Sequence, residues 1–171
     1  KQVLQLSQKR KVNMIIGGPP CQGFSLKGKK LGLNDPRNFL FLVYFNLVKV
    51  LQPKVFVIEN VKALLSTSAG WFKSQIEAEV KALGYHVTCG VLTASDFGVP
   101  QQRQRAIFIC AKEKPISLPS RTVDKPITVR EAISDLAYLN SGEGEFAAKY
   151  QESPQSNYQA TMRNGCTTLC N

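Results

Sequence analysis

Residues 12–25 read VNMIIGGPPCQGFS, and this stretch sets the expected fold. The nearly continuous apolar run from Val12 to Ile16 stops at two glycines and two prolines. That pattern is typical of a buried parallel strand that ends in a loop. Prolines fix the backbone of such a loop, and glycines allow another segment to approach it closely. We therefore expect Cys21 to lie in a rigid loop at the carboxyl end of a strand.

Strands and helices alternate along the sequence. Helices are predicted where apolar residues recur every three or four positions, and strands where short apolar runs stand between turn residues. Asp35 is the expected N-cap of the first helix, and Gly84 is the expected left-handed residue that ends the second. This alternation predicts a doubly wound α/β sheet with ligands at the carboxyl ends of its strands. The predicted elements after the loop are a helix over 36–52, a strand over 55–58, a helix over 71–83, and strands over 85–93 and 106–111 that form a hairpin-like pair.

The composition changes after Lys112, where three prolines punctuate a polar segment, so we place the end of the sheet there. A short helix is predicted over 128–136, with Thr128 as its cap and Glu131 at the spacing of a capping box. Residues 140–171 show no periodicity. The predicted domains are 1–112 for the sheet and 113–171 for a linker, the short helix and a variable region.

Charge and cysteine usage narrow the function classes. Lys and Arg outnumber Asp and Glu by 22 to 12, and the net charge of +10 suits a polyanionic partner such as nucleic acid. The same charge would also keep an ordinary soluble protein dispersed. Five cysteines without paired spacing favour a reducing compartment, and we expect no metal site. Because no apolar run has the length of a membrane helix, we expect a soluble intracellular protein without a membrane partner.

Three short segments at 20–22, 59–61 and 101–105 carry a family resemblance. They resemble, in order and spacing, the Pro-Cys-Gln, Glu-Asn-Val and Gln-x-Arg-x-Arg motifs of the DNA cytosine-5 methyltransferase family. The likeness runs from about Val12 to Leu136. It implies a doubly wound, mostly parallel α/β sheet of the S-adenosylmethionine-dependent methyltransferase type. This chain would hold the C-terminal half of that sheet, including an antiparallel strand, and 113–171 would lead into the target-recognition region.

The resemblance also implies a catalytic set. C5 of cytosine is a poor nucleophile, and addition of the Cys21 thiolate to C6 of a flipped-out base would turn C5 into an enamine carbon. Glu59 would protonate or hydrogen-bond N3, and Arg105 would stabilise charge on O2. Arg103 would organise the pocket or contact the ring. Each of these residues also has an ordinary structural interpretation, such as a surface ion pair for Glu59.

Further contact residues follow from the resemblance, in two groups. One group would contact the substrate or shape the walls around the base, and the other would line one side of the cofactor pocket. The substrate group is Gln22, Ser25, Asn60 and Val61, and the cofactor group is Pro19, Pro20 and Leu40. Lys27, Lys29 and Lys30 are candidates for phosphate contacts, although a solvated loop would look the same.

The implied methyl donor is S-adenosylmethionine, and the implied partner is double-stranded DNA. The family's Gly-rich loop and following acidic residue, which form the principal donor site, are not found in this sequence. We therefore expect a partial enzyme that needs an N-terminal segment or a complementary subunit. A bacterial restriction-modification or solitary methyltransferase in the cytoplasm, associated with the nucleoid, is the expected context, or a nuclear enzyme in a eukaryote. The alternatives are a transfer RNA cytosine-5 methyltransferase, a catalytically silent nucleic-acid-binding subunit, and a cysteine hydrolase.

Overall fold

The computed structural model describes residues 11–20, 39–166 and 168–170. Within these ranges the chain forms six strands, four helices and three short 3-10 segments. The strands are β1 (Met14–Gly17), β2 (Val55–Val61), β3 (His86–Thr93), β4 (Gln104–Ala111), β5 (Ala147–Lys149) and β6 (Thr168–Cys170). The helices are α1 (Phe39–Leu51), α2 (Trp71–Ala82), α3 (Val129–Ile133) and α4 (Asn157–Met162), and the 3-10 segments are Lys62–Leu65, Thr67–Gly70 and Ala94–Phe97. Across the described ranges, no helix is long and apolar enough to cross a membrane.

Four strands form a mixed sheet in the order β1-β2-β4-β3. The first pair is parallel and places Met14 opposite Val55 and Gly17 opposite Ile58. β4 runs antiparallel to β2. The predicted parallel strand before the loop, the antiparallel strand and the adjacency of the last two predicted strands are therefore confirmed.

β2 is longer than predicted. The strand was predicted over 55–58, with the polar pair Glu59 and Asn60 emerging where the strand meets the next loop, and this boundary was wrong because the strand runs to Val61. In the structure Glu59 pairs with Ile107, and Asn60 pairs with Ala106. The apolar run does end at Ile58, but β4 continues to supply ladder partners, so the polar residues stay in the strand.

β1 is also less buried than predicted. It stands at an edge of the four-stranded sheet. Met14 is 53% exposed and Ile16 is 70% exposed, whereas Ile15 packs against the core. The prediction of a fully buried strand was wrong because apolar residues on both sides of a strand show only that burial is possible, and neighbouring layers decide whether it occurs.

The apolar core joins α1 and α2 to one face of β2 and β4. The buried side chains on this face come from alternate strand residues, since successive strand residues point to opposite faces. Opposed pairs in the register, such as Phe56 with Cys110 and Ile58 with Phe108, are all fully buried. The helical side chains in the same cluster are Phe41, Tyr44, Phe45 and Val48 from α1 and Phe72, Ile76 and Val80 from α2.

Two predicted helix ends are confirmed. Gly84 follows α2 with φ of +82°, the left-handed conformation that glycine adopts without a steric penalty. Thr128 caps α3, where its side chain accepts from the Glu131 backbone and the Glu131 carboxylate accepts from the Thr128 backbone. The predicted helix over 128–136 is shorter in the structure, ending at Ile133. The predicted N-cap Asp35 lies outside the described residues.

The chain divides into two compact units. The first comprises 1–92 and 104–120 and holds the mixed sheet, and the second comprises 93–103 and 121–171. Although residues 140–171 lack a periodic pattern, the second unit contains α4 and the antiparallel pair formed by β5 and β6. These elements are too short for a periodic pattern to become visible.

Candidate active site

A carboxylate and a guanidinium meet near the carboxyl end of β2. Glu59 Oε1 lies 2.7 Å from Arg105 Nε, and the two side chains are 43% and 25% exposed. The register explains the contact, because Val61 pairs with Arg105 and Glu59 pairs with Ile107. Glu59 and Arg105 are therefore diagonal neighbours on one face, within reach for long side chains. Both groups remain accessible to a ligand, while the pair orients each of them.

The loop that leads to Cys21 lies against the same end of β2. A Cβ atom at Gly18 would lie 2.9 Å from Glu59 Oε2 and 3.2 Å from the Glu59 carbonyl oxygen, so a side chain at this position would require the Glu59 carboxylate to shift and would crowd the strand backbone. The next residue, Pro19, is buried, and its carbonyl oxygen accepts a hydrogen bond of 2.8 Å from Asn60 Nδ2. The expectation that glycine allows close approach in this loop is confirmed, and the approaching group is the backbone and side chain of Glu59.

Tyr44 supports the beginning of the loop from α1. A Cβ atom at Gly17 would lie 2.6 Å from the Tyr44 ring. The Tyr44 hydroxyl donates to the Val57 carbonyl oxygen at 2.7 Å. Burial is the main reason why the pKa of this hydroxyl is raised, so it stays protonated and remains a donor at physiological pH. Tyr44 thus holds α1 against β2 directly beneath the start of the loop.

Lys62 extends the polar surface beyond the ion pair. Its Nζ atom donates to Gln104 Oε1 at 3.0 Å, which joins the residue after the Glu-Asn-Val segment to the first residue of β4. Sequence reasoning missed both Lys62 and Tyr44. The position of Lys62, directly after that motif, was the available signal, whereas the role of Tyr44 depends on a contact between a helix and a strand.

The chain matches a known protein family over most of its length. The family described as C-5 cytosine-specific DNA methylase matches residues 2–168. The chain belongs to this family. The resemblance stated from the three motifs is therefore confirmed.

Relatives of this chain include bacterial type II methyltransferases. M.DdeI of Desulfomicrobium norvegicum is 43% identical over 170 residues, which cover 94% of this chain and 41% of the relative. M1.HphI of Haemophilus parahaemolyticus is 43% identical over 145 residues, covering 83% of this chain and 39% of the relative. The chain thus spans about two fifths of the length of these curated relatives.

Solved structures confirm the predicted α/β methyltransferase fold with its mixed sheet. A prophage-encoded E. coli protein described as a DNA modification methyltransferase matches with a TM-score of 0.71 and 26% identity, covering 93% of this chain and 46% of that one. The Dnmt2 methyltransferase of S. pombe matches with a TM-score of 0.54 and 22% identity, over 78% of this chain and 42% of that one. The second likeness concerns the fold alone.

Four other residues predicted for the site are exposed. Leu40 stands in the first turn of α1 with half of its side chain exposed, and Val61 is 42% exposed at the end of β2. Pro20 is exposed. Arg103 is also exposed, and its carbonyl oxygen accepts from the Ala94 N–H at 2.9 Å. The remaining predicted site residues, Cys21, Gln22 and Ser25, and the candidate phosphate contacts Lys27, Lys29 and Lys30 lie outside the described residues.

Two cysteines within the described residues are poor nucleophiles. Burial raises the pKa of the Cys110 thiol to about 12. Burial also raises the pKa of Cys89, whose thiol lies 3.4 Å from Glu77 Oε1, a contact that raises it further. Since the thiolate is the reactive form, the raised pKa values disfavour both thiols as nucleophiles at neutral pH. In the described part of the chain, no group of three His, Cys, Asp or Glu residues is placed to hold a metal ion.

Proposed function

We propose that this chain activates cytosine in DNA for methylation at C5, with Cys21 as the nucleophile. The observation that carries the proposal is the Glu59–Arg105 pair, held at 2.7 Å beside the loop that leads to Cys21. A carboxyl group and a guanidinium placed together are suited to a heterocycle that develops negative charge at neighbouring atoms. Membership of the cytosine-specific family supports cytosine as that heterocycle.

The proposed reaction begins with a bond between Cys21 Sγ and C6 of the base, which pushes the C5–C6 electron pair onto C5. Glu59 hydrogen-bonds or protonates N3, and Arg105 donates to O2, so the charge that builds on the ring is neutralised. The electron pair on C5 would then form a bond to the methyl group of a sulfonium donor, whose sulfur–methyl bond breaks and whose sulfur keeps that bond's electrons as a neutral thioether. Loss of the C5 proton to a base and cleavage of the C6–S bond restore the aromatic ring and the thiolate. The base must be flipped out of the duplex for the thiol to reach C6.

S-adenosylmethionine would supply the methyl group as an electrophile. The exposed apolar surfaces of Pro20 and Leu40 fit one wall of a pocket for such a donor, and buried Pro19 fixes the backbone beside Pro20. The Gly-rich and acidic anchors are not found in this sequence. We therefore propose that full turnover takes place in a longer polypeptide or with a complementary subunit that holds the rest of the donor.

Double-stranded DNA is the proposed substrate. The net charge of +10 favours phosphate contacts, for which Ser25 and the lysines at 27, 29 and 30 remain candidates. Gln22 and Val61 would contact the flipped base, and Arg103 would organise the pocket. The segment 113–171 would lead into the region that reads the DNA sequence. A bacterial cytoplasmic restriction-modification system is the proposed context, in line with the type II relatives.

Covalent trapping tests the proposal. The active assembly, meaning this chain with whatever polypeptide completes the enzyme, is incubated with S-adenosylmethionine and a duplex that contains 5-fluorocytosine. Fluorine at C5 blocks the final elimination, so a complex that survives denaturing electrophoresis and maps to Cys21 is expected. Cys21→Ser should abolish it, whereas Cys166→Ser, which alters an exposed cysteine, should leave it unchanged.

Each other outcome has a defined meaning. An adduct with transfer RNA and none with DNA would replace the proposed substrate. An adduct that persists in Cys21→Ser would remove Cys21 as the nucleophile. Binding to DNA without an adduct to either nucleic acid would show a silent binding subunit and overturn the catalytic proposal.

A further inference from the structure

We propose that Asn60 is a positioning residue, which holds the backbone before Cys21 in register with Glu59 and Arg105. From sequence Asn60 was expected to contact the substrate. The geometry points to a different task, because both ends of its carboxamide are engaged by backbone groups. The inference rests on the function proposed above and deepens it.

The parallel pairing of β1 with β2 ends at the loop. The register of β1 and β2 pairs Gly17 with Ile58, so the next residues along each strand bring Gly18 to Glu59 and Pro19 to Asn60. Proline has no N–H to donate, and two prolines follow one another here. Regular pairing of the two strands therefore ends where the loop begins.

The carboxamide of Asn60 bridges the two backbones at this point. Its Nδ2 donates to the Pro19 carbonyl oxygen at 2.8 Å, and its Oδ1 accepts from the Val61 N–H at 2.9 Å. In a regular parallel ladder a carbonyl of one strand accepts directly from an N–H of the other. Here a side chain is inserted between a carbonyl of the loop and an N–H of β2. The loop is thereby tied to the strand although its prolines donate nothing.

Burial makes this bridge specific for asparagine. Asn60 is 6% exposed, and its cross-strand neighbour Ala106 is fully buried. A buried amide needs partners for its donor and its acceptor, and losing one leaves an unsatisfied group. An aspartate would keep the acceptor for the Val61 N–H but would face the Pro19 carbonyl oxygen with a second oxygen. The donor half of the side chain is thus the part that holds the loop.

Two consecutive contacts then set the relation between the loop and the catalytic pair. Gly18 lies against Glu59, and the Pro19 carbonyl oxygen accepts a hydrogen bond from Asn60, which points to the opposite face of β2 from Glu59. Cys21 follows Pro19 by two residues. Fixing the Pro19 carbonyl therefore restricts the positions open to Cys21 relative to the carboxylate that must act on the same base.

The test compares Asn60→Asp and Asn60→Ala in the active assembly. Both variants lose the donor to Pro19, and the aspartate variant keeps the acceptor for the Val61 N–H. We expect the rate of adduct formation with 5-fluorocytosine duplex to fall about 100-fold in both, since misplacement of a reacting group by about 1 Å has an effect of that size. The dissociation constant for unmodified duplex should stay within about threefold, because phosphate contacts dominate DNA affinity. Asn46→Asp is the matched control, since Asn46 is exposed on α1.

Adduct formation at the wild-type rate in both variants would overturn the proposal. So would a loss of DNA affinity that matches the loss of rate, because Asn60 would then be a substrate contact. A full loss in Asn60→Ala with normal rate in Asn60→Asp would also overturn it, since only the Val61 contact would matter. Circular dichroism and thermal unfolding check that the variants fold.

A measurement on the unaltered chain covers the case in which both variants fail to fold. The side-chain amide protons of a buried, hydrogen-bonded Asn60 should exchange with solvent at least about tenfold more slowly than those of exposed Asn46. Equal exchange rates would overturn the bridge itself. If the wild-type assembly formed no adduct with any nucleic acid, the proposed function would fail while slow exchange at Asn60 could still be observed, so the two failures are distinguishable.

Discussion

The two units of this chain have interiors of different composition. The sheet unit buries large apolar side chains such as Phe41, Phe56 and Phe108, all of them fully inaccessible. In the second unit the large buried side chains include Gln159 at 0% and Asp135 at 1% exposure. An apolar interior depends on filling volume, whereas a polar interior depends on every buried group finding a partner.

The polar interior is organised around α3 and α4. Arg163 donates to both carboxylate oxygens of Asp135, at 3.0 and 3.1 Å, and also to the Ala132 carbonyl oxygen at 3.2 Å. Gln159 Nε2 donates to Ser134 Oγ at 3.0 Å. The guanidinium of Arg163 also stands 5.1 Å from the centre of the Tyr150 ring. A few polar side chains therefore replace the apolar layer that two short helices cannot supply.

This difference teaches where a site can be built. The Glu59–Arg105 pair is partly exposed and lies on strands whose other face is packed against α1 and α2. Substituting either residue of the pair therefore leaves the packing of the sheet intact. In the second unit the Asp135–Arg163 pair is part of the interior. Changing a charge should therefore cost activity in the first unit and stability in the second.

The largest effect is expected for removal of apolar volume from the sheet unit. Phe108→Ala should lower the free energy of unfolding by about 3–5 kcal/mol, because it deletes a fully buried ring between two helices and the sheet. Phe146→Ala, which alters a ring that is 77% exposed, should change it by less than about 0.5 kcal/mol. Urea unfolding measures both. Equal values would show that burial does not decide stability here.

The polar interior should respond to an unpaired charge. Arg163→Met leaves the buried Asp135 carboxylate without its bidentate partner and should destabilise the second unit by about 3 kcal/mol. The double variant Asp135→Leu/Arg163→Met should recover most of that loss, because it removes both charges. Lys73→Met, which breaks an exposed pair on α2, should cost less than about 0.5 kcal/mol. Hydrogen exchange over 129–163 reports the second unit directly. A double variant no more stable than the single one would contradict the assignment.

Substitution in the Glu59–Arg105 pair should separate activity from stability. Arg105→Lys keeps the charge but loses the planar donor fork, and we expect the single-turnover methylation rate to fall about 100-fold. The free energy of unfolding should change by less than about 1 kcal/mol, since the pair with Glu59 is partly exposed. Rapid-quench methylation and urea unfolding provide the two numbers. A loss of stability without a loss of rate would make the pair structural.

The smallest effect concerns the capping box of α3. Thr128→Ala should destabilise the second unit by about 1 kcal/mol. Hydrogen bonds from the Thr128 backbone and side chain lower the pKa of Glu131 below its ordinary value of 4.5. Because the pKa of Glu131 is lowered in the folded state, the ionised carboxylate stabilises the fold above about pH 4.5, and this stabilisation is lost as the pH falls through the folded-state pKa. Unfolding measured between pH 3 and 7 should show that acid-dependent part in the wild type and less of it in Thr128→Ala. An unchanged pH dependence would contradict the role of the cap.

Local signals in the sequence determined several elements in both units. The apolar run before the loop, the glycine after α2 and the spacing of Thr128 and Glu131 each depend on neighbours within a few positions, so the pattern contains the information. The three motifs were sufficient to identify the family. Contacts between distant residues were not available in the same way. The sequence did not show that β2 would continue through Glu59 and Asn60, because the partners of that extension stand on β4.

The tertiary structure alone decided how the motif residues meet. The register of β2 and β4 makes Glu59 a diagonal neighbour of Arg105, and the end of the parallel ladder brings the Asn60 carboxamide to Pro19. Tertiary contacts also bury Gln159 completely, although it lies in a polar, aperiodic part of the sequence. Short-range periodicity can be read from the chain because helices and strands repeat locally. Register and polar networks join residues far apart in sequence, and only the packing of one element against another selects which of them become partners.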